Sequence, residues 1–208
     1  MHKESLTQNT KRVLETLGRK GLVKDFYLAG GSALALYYGH RYSIDLDWFA
    51  ESFSNTTGFK KKLSETGKLN INNQDEKTLN ASLSGVKISF FEYPYPLISP
   101  RVKYNSDVYL AGKPDIAAMK LDAVAARGTY KDFIDIYFLL QEYDLNKLVG
   151  FVKKKFSGIE YNETHLFKAL TYFEGVKESE MPKMIEPVGW EELKTTIVSA
   201  VEKYVKQN

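Results

Sequence analysis

The sequence predicts an α+β fold, because strand-like and helix-like segments are largely separated along its 208 residues. Strand-like segments fall between residues 26 and 92, and the first two of them enclose a glycine turn and a helix. From Pro114 onward the apolar residues recur at helical spacing. We therefore expect an α/β core over residues 1–112 and a helical region over residues 113–208.

The elements of the first half follow from apolar periodicity and turn residues. Residues 5–18 carry apolar side chains at helical spacing, and a short buried strand is expected over residues 26–29. A turn of two glycines and a serine then leads into a helix that ends at Gly39. Further along, the pattern predicts a strand over 44–49, a helix near 56–66, and strands over about 69–74, 78–84 and 86–92, the last two joined by a hairpin turn at Gly85.

The second half reads as helical. Pro94, Pro96 and Pro100 stop the sheet pattern. The apolar spacing then predicts helices over 114–127, 130–142, 144–156, 162–174 and 189–206.

Composition narrows the function classes. The 43% hydrophobic and 26% charged residues are typical of a globular protein, and the absence of cysteine excludes disulfides, thiolate zinc sites and a cysteine nucleophile. The three histidines are well separated, so any metal should be bound through oxygen. No apolar run approaches the roughly 20 residues needed to cross a bilayer, and the first residues lack the apolar stretch of a secretion signal. We expect a cytoplasmic location and no membrane partner.

The net charge of +3 is a weak indication of affinity for anions. Two lysine triplets, residues 60–62 and 153–155, have two possible roles. They could contact a phosphate backbone, or they could form the solvated face of a helix.

Two aspartates in the strand over 44–49 are the strongest functional signal. Asp45 and Asp47 project to the same side, with Ile44, Leu46 and Trp48 on the other side. Like charges placed this way repel each other, and a divalent cation would relieve the repulsion. Mg²⁺ prefers carboxylate and phosphate oxygens, so the pair could hold Mg²⁺ together with a phosphorylated substrate. The pair alone could also be the wet face of an edge strand.

The turn that precedes this strand could bind the phosphate. Gly30 and Gly31 would let backbone amides approach a phosphate, and the amino end of the helix favours negative charge. Ser32 would add a hydroxyl, or it could simply cap the helix. Together, the turn and the paired acids indicate a phosphoryl- or nucleotidyl-transfer site.

The stretch GGSALALYYGHRYSIDLDWF, residues 30–49, resembles the signature of the nucleotidyltransferase superfamily with the DNA polymerase β type fold. More narrowly, it resembles the AbiEii/AbiGii toxin family of prokaryotic nucleotidyltransferase-like proteins. KPDIAAMKLDAVAARGTYKDFIDIYFLL, residues 113–140, is similar to that family's second block. The resemblance covers about residues 25–142 and implies a polymerase β-like mixed sheet with flanking helices.

The same resemblance implies that Lys120 and Asp135 complete the active site. Lys120 would neutralise triphosphate charge, and Asp135 would orient a base, a ribose or the attacking hydroxyl, directly or through Lys120. The alternative for this pair is a salt bridge between two helices. Arg127 and Lys131 are lesser candidates for contact with nucleotide or RNA phosphates.

Two further features of the sequence bear on this site. Thr129 and Asp132 form a capping-box pattern, so helix capping is the expected role of Asp132. Polymerase-like transferases usually carry a third carboxylate on a later strand, but Ser89 occupies the corresponding position and Glu92 lies at the strand's end. Two acids would hold one metal firmly and a second only loosely.

These expectations combine into a Mg²⁺-dependent nucleotidyltransferase that uses a nucleoside triphosphate and modifies an acceptor hydroxyl. By resemblance the chain would be the toxin of a toxin-antitoxin or phage-defence system, with the 3′ end of transfer RNA as acceptor and a cognate antitoxin as partner. The alternatives are nucleotide transfer onto a protein hydroxyl and a catalytically inactive module that binds a nucleotide or a partner.

Overall fold

The computed structural model describes residues 1–105, 107–159, 161–176 and 181–207. Within these residues the chain forms one mixed sheet and eight α-helices, which confirms the predicted α+β class. The helices are α1 (Gln8–Arg19), α2 (Gly30–Tyr38), α3 (Thr57–Ser64), α4 (Lys113–Ala126), α5 (Tyr130–Glu142), α6 (Leu145–Lys155), α7 (Glu163–Thr171) and α8 (Trp190–Gln207). The strands are β1 (Tyr27–Leu28), β2 (Asp45–Ala50), β3 (Leu69–Gln74), β4 (Thr78–Leu83), β5 (Val86–Glu92), β6 (Val102–Lys103) and β7 (Tyr109–Leu110).

The sheet has the strand order β3-β4-β5-β2-β1-β7-β6. Strands β2 and β5 are parallel, as are β1 and β7, whereas the other neighbours are antiparallel. Strand β2 therefore lies inside the sheet, with β1 on one side and β5 on the other. Because β2 is an inner strand, one of its faces packs on the core and the other face is available to form a binding site.

The hairpin predicted at Gly85 is present. Strands β4 and β5 pair from Thr78 opposite Phe91 to Leu83 opposite Val86, which leaves a two-residue turn. Its residues, Ser84 and Gly85, both have positive φ angles, 50° and 83°. Two consecutive positive φ angles are what a tight turn between twisted strands requires.

Two expectations about the sheet are wrong. The prolines from Pro94 to Pro100 do not end it, because β6 and β7 extend it beyond β1. Each of these strands has only two residues, too few to show an alternating pattern. Ile44 does not face the core with Leu46 and Trp48. It precedes the strand and is 56% exposed.

The core contains side chains from both predicted regions. One cluster of buried apolar residues includes Leu14, Trp48 and Phe90 from the first region and Phe133 and Ile197 from the second. The division at residue 112 stays a prediction. No helix in the described part of the chain has both the length and the apolar character needed to cross a membrane.

The lysine triplet at the end of α6 does not form a uniformly solvated face. Lys155 is 1% exposed, and its Nζ lies 2.8 Å from Oδ1 of Asp115, which is 0% exposed. Asp115 also accepts hydrogen bonds from the backbone of Ile98 and Ser99, both at 3.0 Å. This buried ion pair ties α6 to the amino end of α4 and to the segment that follows β5.

Loss of this lysine should destabilise the fold. We expect Lys155→Met to lower the free energy of unfolding by about 3 kcal/mol, because Asp115 would remain buried without its cation. The control is Lys154→Met, which changes an exposed neighbour and should stay within about 0.5 kcal/mol of the wild type. Urea denaturation followed by circular dichroism measures both. Equal midpoints for the two variants would show that the ion pair adds nothing.

Candidate active site

Strand β2 places its two aspartates on the wall of a cleft of about 1000 Å³. Asp45, Asp47 and Phe49 alternate with the buried Leu46, Trp48 and Ala50. The first set faces the cleft because successive side chains of a strand point to opposite sides. The cleft is lined by residues of the α2 amino end, β2, β5, α4 and α5, together with Asn80 and the segments 41–44 and 181–183.

The parallel register with β5 puts a matching row of side chains beside the aspartates. Asp45 lies opposite Lys87, and Asp47 lies opposite Ser89, which hydrogen-bonds to the Asp47 side chain. Lys87 and Ser89 both line the cleft. Ser89 therefore occupies the place beside Asp47 where a third strand carboxylate would lie, as the sequence predicted.

The paired aspartates lack a cation of their own. In the described residues, neither Asp45 nor Asp47 has an ion pair within 4.0 Å. Burial, followed by the charge of Asp45, raises the pKa of Asp47, and the nearby Lys87 and Lys120 oppose this only in part. An unpaired carboxylate that is taken out of water is costly. The site therefore holds an uncompensated negative charge at the cleft wall.

The amino end of α2 lies directly against Asp47. A Cβ atom added at Gly30 would lie 3.2 Å from Oδ2 of Asp47, and Gly30 has a φ angle of 64°. The backbone N–H of Ala29 donates to the carbonyl of Asp47 at 3.1 Å. The glycine turn and the acid pair, found separately in the sequence, thus meet at one point of the cleft.

Gly31 is required by a contact that the sequence did not indicate. A Cβ atom at Gly31 would lie 2.1 Å from Nη2 of Arg41. The Arg41 guanidinium cannot simply move aside, because its Nε and Nη2 donate to the two oxygens of Asp135 at 2.8 and 3.0 Å. Gly31 therefore makes room for a buried arginine as well as lining the cleft.

The hydroxyl of Ser32 is already engaged within the protein. It donates to the backbone carbonyl of Asp45 and lies 2.8 Å from Oγ of Ser43. Ser32 lines the cleft but is 2% exposed. Helix capping, the alternative role, is wrong, because the N-cap of α2 is Ala29. Ser32 instead fixes the start of β2, which positions the acids.

Asp135 lies at the centre of a buried network behind the cleft. Besides Arg41, its carboxylate contacts Nε2 of His40 at 2.8 Å and Nζ of Lys120 at 2.7 Å. Asp135 is 0% exposed and is not among the residues that line the cleft. Burial acts to raise its pKa, but the charges of Arg41 and Lys120 outweigh burial and hold the pKa well below its ordinary value. Asp135 cannot touch a substrate directly in this arrangement, so any role in catalysis is exerted through its partners.

Lys120 connects this network to the cleft. Its Nζ lies between Asp135 and Oδ1 of Asp132, 3.0 Å away, and its side chain is 7% exposed. Burial acts to lower the pKa of Lys120, but the charges of Asp135 and Asp132 raise it above the ordinary value. The group is therefore a permanent ammonium held at the cleft wall by two carboxylates. The alternative role of the Lys120–Asp135 pair, a salt bridge between two helices, is thus present, and its role in catalysis stays a prediction.

Asp132 combines helix capping with two ion pairs. The predicted capping box with Thr129 is confirmed at the start of α5. Asp132 also binds Lys120 and accepts from Nε of Arg127 at 3.1 Å. Burial would raise its pKa, yet Lys120, Arg127 and Thr129 together lower the pKa to about 2. Asp132 is therefore ionised throughout the neutral range and orients both cations.

Most of the predicted site residues meet in the one cleft. Gly30, Gly31, Ser32, Asp45, Asp47, Lys120, Arg127 and Lys131 line it, and Asp135 lies behind it. The sequence did not single out His40 and Arg41. The sequence indicates that a buried Asp135 needs a partner, but it does not show which of the basic residues supplies it.

The donor set limits how a metal could be held. No group of three or more His, Cys, Asp or Glu side chains with metal-binding geometry occurs in the described part of the chain. Asp45 and Asp47 offer carboxylate oxygens, which suit a hard divalent cation such as Mg²⁺, and the rest of its shell would come from water and substrate. The unpaired charge at Asp47 fits that requirement.

Known proteins are similar to this chain in sequence and in fold. Residues 12–105 match the family described as "Nucleotidyl transferase AbiEii toxin, Type IV TA system". The chain is 38% identical over 206 residues to the uncharacterised protein aq_aa25 of Aquifex aeolicus (strain VF5), and the match covers 97% of this chain and 98% of that protein.

Two solved structures share the fold. A candidate nucleotidyltransferase from Helicobacter pylori is 15% identical, with a TM-score of 0.58 and coverage of 100% of this chain and 97% of that one. The nucleotidyltransferase toxin MenT4 of Mycobacterium tuberculosis H37Rv is 11% identical, with a TM-score of 0.55 and coverage of 94% and 84%.

The fold and the family match define the class of protein as a nucleotidyltransferase. Residues 12–105 carry the match to the AbiEii nucleotidyltransferase toxin family, and over nearly its whole length the chain belongs to one family with aq_aa25. The predicted family and enzyme class are confirmed.

A methyl group at Gly31 should disrupt the network. We expect Gly31→Ala to lower the free energy of unfolding by about 1–3 kcal/mol, because the added carbon displaces the Arg41 guanidinium from Asp135. The control is Gly150→Ala in α6, where a Cβ meets nothing within 4 Å and alanine should stabilise the helix by about 0.5–1 kcal/mol. Thermal and urea unfolding measure both. A neutral Gly31→Ala would mean that Arg41 is not held as described.

Proposed function

We propose that the protein transfers a nucleotide from a nucleoside triphosphate to an acceptor hydroxyl, with Mg²⁺ bound at Asp45 and Asp47. One observation carries the proposal: the unpaired acids share a cleft with the amino end of α2 and with the Lys120 ammonium. A helix amino end and an ammonium both favour phosphate. Paired carboxylates without a cation are suited to a divalent metal.

The chain's own groups then have distinct roles. The backbone at Gly30 and Gly31 receives a phosphate, and Lys120 stabilises charge on the triphosphate. When bound, Mg²⁺ would supply Lewis-acid polarisation of phosphate oxygens and would orient the leaving pyrophosphate. Arg127 and Lys131 line the cleft, where they contact the phosphates of a nucleotide or of RNA. Asp135 acts as a positioning residue that holds Lys120 and Arg41.

We infer the biological setting from the family match over residues 12–105. In this proposal the protein is the toxin of a toxin-antitoxin system, acts in the cytoplasm and has a cognate antitoxin. Such a toxin can also serve in phage defence. We propose RNA as the target, with the 3′ end of transfer RNA as the acceptor. The family description and the toxin MenT4 support a toxin role.

An inactive nucleotide- or partner-binding module is the second candidate, because Ser89 stands beside Asp47 in place of an acid. The loss of one carboxylate weakens the hold on a second metal. This candidate predicts that the toxic phenotype survives Asp47→Ala.

Incubation of the purified protein with Mg²⁺, each labelled nucleoside triphosphate and total RNA or total protein tests the proposal. We expect label on RNA and pyrophosphate release, with transfer reduced at least about 100-fold in Asp47→Asn. Label on protein would favour transfer to a protein hydroxyl. No transfer to either, with triphosphate binding intact, would reject the enzymatic proposal.

Asp47 also provides a test that does not depend on activity. Because burial raises its folded-state pKa, protonated Asp47 contributes stability at acid pH that is lost as the pH rises through that pKa. Without metal at neutral pH, Asp47→Asn should therefore raise the melting temperature. Millimolar Mg²⁺ should stabilise the wild type by mass action but not this variant.

Asp122→Asn is the matched control for this test. Asp122 lines the same cleft and has a pKa raised by burial alone. Its substitution should leave the Mg²⁺ response intact. An equal Mg²⁺ response in Asp47→Asn and the wild type would place the metal elsewhere.

A further inference from the structure

A second groove opens beside the active-site cleft. It has a volume of about 560 Å³ and is lined by the end of α4, by α7 and by the residues that follow α7. Ala126 and Arg127 line both the groove and the cleft. The two spaces therefore adjoin at Arg127.

The described lining of the groove is basic. Among its described lining residues, Arg127, His165 and Lys168 are basic, and none is acidic. Lys168 is exposed and has no ion pair with any described residue. The Arg127 side chain is 63% exposed although it is paired with Asp132, so much of its guanidinium still faces solvent. This distribution favours a ligand with repeated negative charge.

The groove also carries an exposed aromatic side chain. Tyr172, just after α7, is 61% exposed, which is the largest exposed fraction of any Phe, Trp or Tyr in the described part of the chain. The other groove residues are mostly small or apolar, among them Val124, Ala125 and Ala169. An exposed ring beside basic side chains is what proteins use to stack the bases of single-stranded nucleic acid.

We propose that this groove binds the single-stranded 3′ end of the acceptor RNA and guides it past Arg127 into the cleft. Lys168 and Arg127 contact successive phosphates, and Tyr172 stacks on a base. The inference rests on the proposed function for its ligand, because that function makes RNA the acceptor. A protein acceptor fits less well, since a flexible protein segment offers neither regular negative charge nor a base to stack on Tyr172.

Equilibrium binding tests the groove without any catalytic step. The probe is a short fluorescein-labelled single-stranded RNA with a free 3′ hydroxyl, followed by fluorescence anisotropy at several salt concentrations. We expect Tyr172→Ala to weaken binding about 10-fold, whereas Tyr172→Phe keeps the ring and should bind as the wild type does. Lys168→Ala should weaken binding several-fold and reduce the slope of log K against log salt by about 0.7.

Lys24→Ala is the matched lysine control. Lys24 is an exposed residue between α1 and β1 that lines neither the groove nor the cleft. This control variant should bind the probe with the affinity of the wild type. All four substitutions change exposed side chains, so their melting temperatures should match that of the wild type.

The outcomes separate the groove from the reaction. If RNA is labelled by the wild type and probe binding is the same in Lys168→Ala, Tyr172→Ala and the wild type, the groove proposal is overturned and the proposed function stands. If no acceptor is labelled but both variants lose probe affinity, the groove is supported and the proposed reaction is rejected. Label on protein, together with unchanged RNA binding in both variants, overturns both the groove and the RNA acceptor.

Discussion

The buried carboxylate of Asp135 is the constraint on which the site depends. Arg41 and His40, from the segment after α2, and Lys120, from α4, all converge on it. Removing these groups from water is expensive, and only simultaneous contact offsets the cost. The network is therefore satisfied in one relative placement of α2, α4 and α5. That placement sets the amino end of α2 against Asp47 and puts Lys120 on the lining of the same cleft.

The three fully buried carboxylates have ion pairs, whereas the acid pair of β2 has none among the described residues. Asp115, Asp132 and Asp135 each have a cation and further hydrogen-bond donors, and they hold helices together. Asp45 and Asp47 have no cation within ion-pair distance in the described residues, although they repel each other. Asp122, which lines the same cleft, has no ion pair among the described residues either, so unpaired carboxylates occur on the cleft lining and not among the three fully buried acids. Unpaired charge in a cleft is typical of a ligand-binding site.

The sequence predicted those features that depend on local pattern. Period-two alternation placed Asp45 and Asp47 on one face, and turn and capping residues located the hairpin at Gly85 and the start of α5. Contacts between distant segments were missed. Arg41 reaches Asp135 across 94 positions of the chain, and this contact explains Gly31 better than phosphate approach alone does. Likewise, a lysine triplet gives no local sign that one member will be buried against an acid 40 positions earlier.

The charge of the cleft bears on whether a metal is needed. Its described lining contains six basic side chains and five acidic ones, so the charge of the cleft is close to neutral. Three of its cations, Lys120, Arg127 and Arg41, already share the two buried carboxylates of Asp132 and Asp135, which leaves one surplus positive charge in that network. Under the proposed function, a bound triphosphate would add negative charge to a cleft in which Asp45 and Asp47 have no cation within ion-pair distance among the described residues. Binding would therefore need additional positive charge at the acid pair. A divalent cation would supply that charge in a form that both carboxylates and phosphates can share.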